Sequence, residues 1–195
     1  DLETLLKKSS NVGASKISLE MAPEELYAFI SNLGFGSGVA LGFPGETGGH
    51  VNNYNRWAKI DQATLSFGYG ISVNTLQLAQ AYAVLGNGGV YRQATFFKDD
   101  NTTTERRVMS EETADTVLNM LESVVSTDGT APQAAVPGYR MAGKTGTVKN
   151  YSGEGYADDR YRAVFAGGGA VNVPRLALGV VVGEPSAGTC EGGDV

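Results

Sequence analysis

The 195-residue chain is expected to fold as a mixed α/β protein of the α+β type, with an antiparallel sheet flanked by helices. Apolar residues recur at helical spacing through the first two-thirds of the sequence and change to the two-residue spacing of strands after about residue 140. No strand–helix–strand alternation, which would require a parallel sheet, is present. The 27 glycines, about twice the average share, require many tight turns and close backbone approaches. With 42% hydrophobic and 18% charged residues the chain can bury a substantial core. No repeat or linker divides it, so residues 1–195 are read as one domain.

Residues 2–8 carry the end of a helix that breaks at Ser9, Ser10 and Asn11, and helical periodicity resumes over 12–21. Pro23 suits a first helical turn. Behind it Leu26, Tyr27, Phe29, Ile30 and Leu33 fall on one face, and Gly34 closes the helix. Residues 36–60 are rich in glycine and asparagine and read as loop, with Gly42 to Glu46 (G-F-P-G-E) inside it. A helix over 74–85 aligns Leu78, Tyr82 and Leu85 and stops at the run Gly86, Asn87, Gly88, Gly89. Residues 90–97 have strand composition, and 99–104 that of an exposed turn.

Ser110 is the expected N-cap of the next helix, with Glu111 and Glu112 favourably placed at its positive end. Ala114, Val117, Leu118, Leu121, Val124 and Val125 form the cleanest amphipathic stripe in the sequence. Strands are predicted over 140–148, 161–170 and 176–182, the last two joined by a turn at Asn172, Val173 and Pro174.

Composition excludes several classes of function. A formal net charge of −6 argues against nucleic-acid binding, which needs a basic face. The lone cysteine, Cys190, cannot form an intrachain disulfide, and with the lone histidine, His50, it cannot build a zinc site. No metal or organic cofactor is implied. No apolar run approaches the ~20 residues of a membrane span, so no membrane contact is expected of this segment itself.

Residues 138–145 match the phosphate-binding pattern G-x-x-x-x-G-K-[ST]. That pattern functions only where it opens a helix, whose free N–H groups hold the phosphates, and Gly146 to Asn150 with Gly153 and Gly155 are strand and turn material. The same lysine fits a second pattern better. Lys144, Thr145 and Gly146, followed by Thr147, form the K-T-G triplet of serine acyl-transferases that react with penicillin. Ser9, Ser10 and Asn11 form a candidate S-x-N triplet of the same enzymes. Alone, each is an ordinary cap or strand end. Together and in order, one between helices and one on a strand, they point to acyl transfer.

That chemistry needs a nucleophile, a base for its proton, and donors for the oxyanion. Lys144 would set a cation beside Ser9 and attract a substrate carboxylate. Ser9 would relay a proton to the leaving nitrogen, and Asn11 offers a carboxamide to orient a lysine and a substrate amide. Gly146 leaves room for a substrate along the strand edge, and the Thr147 N–H is placed as an oxyanion donor.

The stretch from Lys8 to Lys16 resembles class B penicillin-binding proteins, notably the division-specific septal peptidoglycan D,D-transpeptidases of Gram-negative bacteria. Leu41 to Glu46 (L-G-F-P-G-E), Ala63 to Gly70 (A-T-L-S-F-G-Y-G) and Gln77 to Tyr82 look like further landmarks of that group, in collinear order. The resemblance implies the penicillin-binding transpeptidase and serine β-lactamase-like fold. It implies the D-Ala-D-Ala stem peptide of peptidoglycan as substrate and β-lactams as acylating mimics. It adds Phe67, Tyr69 and Lys149 to Ser10, Thr145, Gly146 and Thr147 as residues lining the cleft. It places the parent protein at the periplasmic face of the bacterial inner membrane, with division-protein partners.

Two departures from the family pattern stand out. Its nucleophile lies in an S-x-x-K tetrad, and none of the serines here begins one; Thr4-x-x-Lys7 has the spacing but carries threonine. In the family the sheet also holds strands preceding the nucleophile and is packed by a helix after the last strand. The chain is therefore expected to be an incomplete, internal part of the domain, inactive by itself. Cys190 and Glu191 also stand before Gly192-Gly193 where relatives have an aromatic pair, and Ala166 to Gly169 is richer in glycine than the family segment. Both leave an apolar wall of the cleft in question.

Two further readings compete: a non-catalytic module that binds peptidoglycan or division proteins, favoured by the missing tetrad, and a P-loop nucleotide hydrolase, favoured only by residues 138–145. His50 has no G-x-S-x-G serine to serve, Trp57 is read as a loop anchor, and Cys190 as a passive thiol.

Overall fold

A computed structural model of the chain describes residues 1–39, 41–98, 103–151 and 156–185. The chain opens with α1 (Leu2–Lys7), whose N-cap Asp1 accepts from the Thr4 N–H, and passes through a tight turn into α2 (Asn11–Glu20). Gly13 permits the close crossing of these helices, since a Cβ there would run into the Leu5 side chain. α3 (Pro23–Asn32) follows with proline in its first turn and Gly34 at φ +91° behind it, as its sequence requires.

The segment read as loop, residues 36–60, and the stretch that follows it contain more order than the composition suggests. β1 (His50–Val51) pairs antiparallel with β2 (Ile71–Ser72), a 3-10 turn spans Tyr54–Arg56, and α4 occupies Lys59–Leu65. The buried Gln62 amide donates to Ser18 O at 2.7 Å and Met21 O at 2.9 Å, and Ser18 Oγ returns a bond to Gln62 O at 2.9 Å. Long-range polar bonds hold α4 against α2. A helix stitched in this way has no amphipathic stripe to betray it.

α5 (Thr75–Gly86) begins with a capping box between Asn74 and Gln77. Gln77 is 1% exposed, and its amide also donates towards the carbonyls of Gly34, Ser37 and Gly48 at 3.0, 2.8 and 2.9 Å. One side chain thus caps a helix and anchors three points of the preceding loop. The strand expected over 90–97 ends early: β3 is Val90–Arg92, paired with β4 (Glu105–Arg107). The charged sequence of β4 hid it. The pair is held by cross-strand packing, with the Arg106 guanidinium 3.7 Å from the centroid of the Tyr91 ring opposite. Of the expected turn, residues 99–102 lie outside the described residues.

α6 (Glu111–Val125) starts where Ser110 Oγ accepts from the Thr113 N–H at 3.1 Å. Three strands follow, β5 (Met141–Tyr151), β6 (Tyr156–Gly169) and β7 (Leu176–Gly183), antiparallel in the order β5-β6-β7. α5 and α6 pack against the sheet, and α1 packs against α6. Leu118, Leu121 and Val124 of α6 meet Ala131, Ala142 of β5 and Phe165 of β6 in the core. β7 forms the far edge and leaves Leu176, Val180, Val181 and Val182 exposed on both its faces, apolar surface suited to contact with other protein.

The architecture is the expected antiparallel sheet flanked by helices. Lys144 lies inside strand β5, and no helix begins there, so residues 138–145 do not form a P-loop. Replacing Gln77 by leucine should cost roughly 2–4 kcal/mol in urea denaturation, because it removes the partner of the Asn74 N–H and of three loop carbonyls at buried or partly buried positions. A loss below about 1 kcal/mol would show that water replaces those bonds at no cost.

Candidate active site

Ser9 owes its position to two helix ends. The Ser10 N–H bonds to Leu5 O at 3.0 Å and the Ser9 N–H to Leu6 O at 3.2 Å, which closes α1 as a Schellman motif with Ser9 in its left-handed position. Ser9 has φ +52°, a conformation normally left to glycine. One residue later Ser10 is the N-cap of α2, its Oγ accepting from the Gly13 N–H at 3.1 Å. The Ser9 side chain therefore projects from a turn fixed on both sides.

Across the groove, β5 pairs only with β6 among the described residues and presents its other edge there. Lys144 reaches out from it. Its Nζ donates to Ser9 Oγ at 2.8 Å, although the two residues are 135 apart in sequence. It also donates to Thr145 O at 3.1 Å, with Thr145 Oγ1 at 3.5 Å. Asn11 is not among the ammonium's bonding partners in the described residues. Burial, which penalises the charged form, pulls the Lys144 pKa below the ordinary lysine value. An ammonium with a softened pKa, bonded to a hydroxyl, is suited to binding an anion and to moving a proton through that hydroxyl.

A cavity of about 510 Å³ lies between these walls and gathers nine of the ten residues singled out from the sequence. Ser9, Ser10 and Asn11 line it from the helical side, and Lys144, Thr145, Gly146 and Thr147 from the strand. Phe67 and Tyr69 enter from the turn after α4, their rings packed edge to face with centroids 5.8 Å apart. Lys149 is the exception. It sits five residues beyond Lys144, roughly 16 Å further along an extended strand, with its ammonium 5.9 Å from the Tyr161 ring centroid. The structure does not bring it to the cavity.

The floor is apolar, formed by Leu5, Leu6, Tyr82, Leu85, Val117 and Leu121. Burial raises the Tyr82 phenol far above its usual range, so it stays protonated. Among the described residues lining the cavity, Lys144 carries the only formal charge. Ser66 also lines it. Sequence reading passed over Ser66, although it stands inside the stretch Ala63 to Gly70. Thr130, whose Oγ1 lies 3.0 Å from Thr145 Oγ1, was signalled by no motif.

His50 bonds to Asn52 and Trp57 to the Asn52 carbonyl, and Trp57 packs on Tyr27, so both serve their loop rather than the cavity. Cys190, Glu191, Gly192 and Gly193 lie outside the described residues.

Comparison with known proteins bears on the family and the fold. The family model described as penicillin binding protein transpeptidase domain matches residues 1–194. The chain is 40% identical over 195 residues to a protein of Neisseria meningitidis named probable peptidoglycan D,D-transpeptidase PenA, and 42% identical over 194 residues to Escherichia coli peptidoglycan D,D-transpeptidase FtsI. Each match covers 100% of this chain but only 34% and 33% of the relative, so the chain spans about a third of the length of these curated relatives. The apo transpeptidase domain of Burkholderia pseudomallei penicillin-binding protein 3 superposes with a TM-score of 0.92 at 42% identity, covering 98% of this chain and 60% of that one. Mycobacterium tuberculosis penicillin-binding protein 3 in complex with aztreonam gives 0.88 at 36% identity, covering 95% of this chain and 45% of that one. The fold is thus of the penicillin-binding, β-lactamase-like type.

Two outcomes are expected. Ser9→Gly and Ser9→Ala both lose the hydroxyl, but only alanine keeps the left-handed strain. The glycine variant should therefore be the more stable by ~1 kcal/mol in thermal or chemical denaturation. For Lys144, the native state sheds its proton at lower pH than the unfolded chain, so the cost of burying the ammonium is fully present at neutral pH. That cost is relieved as pH rises from the depressed native pKa through the unfolded value near ~10.4. Stability of the unaltered chain relative to Lys144→Met should accordingly rise between neutral pH and about pH 10.5. A flat or falling difference would contradict the desolvation.

Proposed function

The chain belongs to the penicillin-binding protein transpeptidase family, and on that premise we propose that its cavity receives the D-Ala-D-Ala end of a peptidoglycan stem peptide during acyl transfer. One observation carries the reading: the Lys144 ammonium, the only formal charge among the described residues lining the cavity, donates to Ser9 Oγ at 2.8 Å. A peptide ending in a carboxylate finds its counter-charge there, and the hydroxyl beside it can exchange protons with the reacting atoms.

In this mechanism a serine of an S-x-x-K segment, which these 195 residues do not contain, attacks the penultimate D-Ala carbonyl. The Thr147 N–H helps hold the oxyanion, Ser9 delivers a proton to the leaving nitrogen, and the terminal D-Ala departs. An acceptor amine then takes the acyl group and cross-links the wall. Lys144 and Thr145 hold the substrate carboxylate. Asn11 and Ser10 face the peptide from the helical wall, Gly146 admits its backbone along the β5 edge, and Phe67 and Tyr69 border the apolar side. β-Lactams enter by the same route, a reading supported by a structural relative that carries aztreonam.

Residues 1–195 would act as one transpeptidase module. Its parent would work at the periplasmic face of the inner membrane, where peptidoglycan lies, with division proteins as partners. No helix of the described residues is long and apolar enough to cross a membrane. The missing tetrad keeps a second reading in play, a module that binds stem peptide without catalysis.

N-acetyl-D-Ala-D-Ala should bind the chain reversibly, with Lys144→Ala weakening it ~10-fold or more, as titration followed by NMR would show. A fluorescent penicillin should leave no stoichiometric adduct on the 195-residue chain. When the chain is joined to an S-x-x-K segment, penicillin capture should appear and fall ~10²-fold or more with Lys144→Ala or Ser9→Ala, while Thr145→Ser stays mild. Capture insensitive to Lys144→Ala would reject the role given to the triplet, and no capture at all would favour the binding-only reading.

A further inference from the structure

We infer that Thr130 is a positioning residue, whose hydroxyl donates to Thr145 Oγ1 and so leaves the Thr145 proton for the carboxylate of the ligand. The inference rests on the stem-peptide reading of the cavity.

Thr130 lies on the loop between α6 and β5 and does not line the cavity, so it acts through Thr145. The two hydroxyl oxygens stand 3.0 Å apart, and either can be the donor. Each hydroxyl has one proton. When Thr145 donates to Thr130, its proton is spent and only lone pairs remain for an incoming anion. When Thr130 donates, the Thr145 proton is free to point into the cavity beside the Lys144 ammonium. Since Lys144 Nζ is itself a donor and lies 3.5 Å from Thr145 Oγ1, it cannot accept that proton. An arriving carboxylate therefore selects the second arrangement, and Thr130 is the group that permits it.

The loop is built to hold this hydroxyl in place. Ala131 is 1% exposed, and its N–H bonds to Val124 O at 2.9 Å. Gly129 lies so close to the end of α6 that a Cβ would overlap the Ser123 and Val124 carbonyl oxygens. Asp128 pairs with Lys7 at 2.6 Å and accepts from Ser126 Oγ at 2.9 Å, while Lys8 Nζ donates to the Asp128 carbonyl at 3.0 Å. Lys7 and Lys8 immediately precede Ser9. One short loop thus touches the chain neighbours of both partners of the Ser9–Lys144 contact, Lys7 and Lys8 on one side and Thr145 on the other.

The test compares N-acetyl-D-Ala-D-Ala with its C-terminal amide, titrated into the unaltered chain, Thr130→Val and Thr130→Ser. Thr130→Val keeps shape but removes the donor. It should lower affinity for the carboxylate probe ~5–10-fold and leave the amide nearly unchanged, while Thr130→Ser stays within about 2-fold on both. In Thr145→Val, which has no hydroxyl to position, adding Thr130→Val should cost nothing more. Equal losses on both probes would mark Thr130 as merely structural and overturn the inference, as would an unaltered carboxylate affinity in Thr130→Val or a failure of Thr130→Ser to restore it. If the unaltered chain shows no preference for the carboxylate probe, the stem-peptide reading fails and takes this inference with it.

Discussion

Lys144 is where the demands on this structure meet. An ammonium withdrawn from water must be given oxygen partners or lose its proton. Ser9 Oγ and the Thr145 carbonyl provide partners, while burial lowers the pKa enough that the charge is held less firmly than on a surface lysine. The contact joins the turn between α1 and α2 to the edge of the sheet, so the pair offered as the reactive one is also a structural tie. Its geometry depends on Ser9 holding a left-handed conformation that most residues avoid. Breaking a local preference at a residue that meets a partly buried charge is the pattern expected of a functional position.

The walls around that pair are held as much by polar stitches as by apolar packing. Gln62 binds α4 to α2, and Gln77 caps α5 while holding the loop before it; both are buried amides with several carbonyl partners. A hydrophobic contact tolerates sliding, whereas a multiply bonded amide specifies one register. The turn carrying Phe67 and Tyr69 inherits its position from α4, and hence from Gln62. The strand wall is set differently, by the β5–β6 ladder, regular from Met141 to Lys149, that pairs Lys144 with Ala166. A flexible peptide meeting such a site would lie along a rigid strand edge and be read by side chains from the helical wall.

Much of this was legible in the sequence. The α6 stripe from Ala114 to Val125, the Ser110 cap, the Gly34 stop and the three long strands all follow from local rules of period and capping, which act over a few residues and survive any tertiary arrangement. The triplets at Ser9 and Lys144 were also legible, because their chemistry requires particular residue types in a particular order. What local rules do not encode is contact between distant segments. α4 and β4 escaped notice because Gln62 and the Tyr91–Arg106 stack, rather than periodicity, hold them. Lys149 was placed at the cleft by resemblance, whereas distance along β5 carries it away. The sequence by itself determined the elements that carry a clear period or cap, and it singled out Ser9 and Lys144 as candidates for acyl-transfer chemistry. Only the tertiary structure decided that Ser9 meets Lys144 at 2.8 Å and that Thr130 stands behind Thr145, because both contacts arise from the packing of α1, α6 and β5, whose register is set by core volume and buried hydrogen bonds.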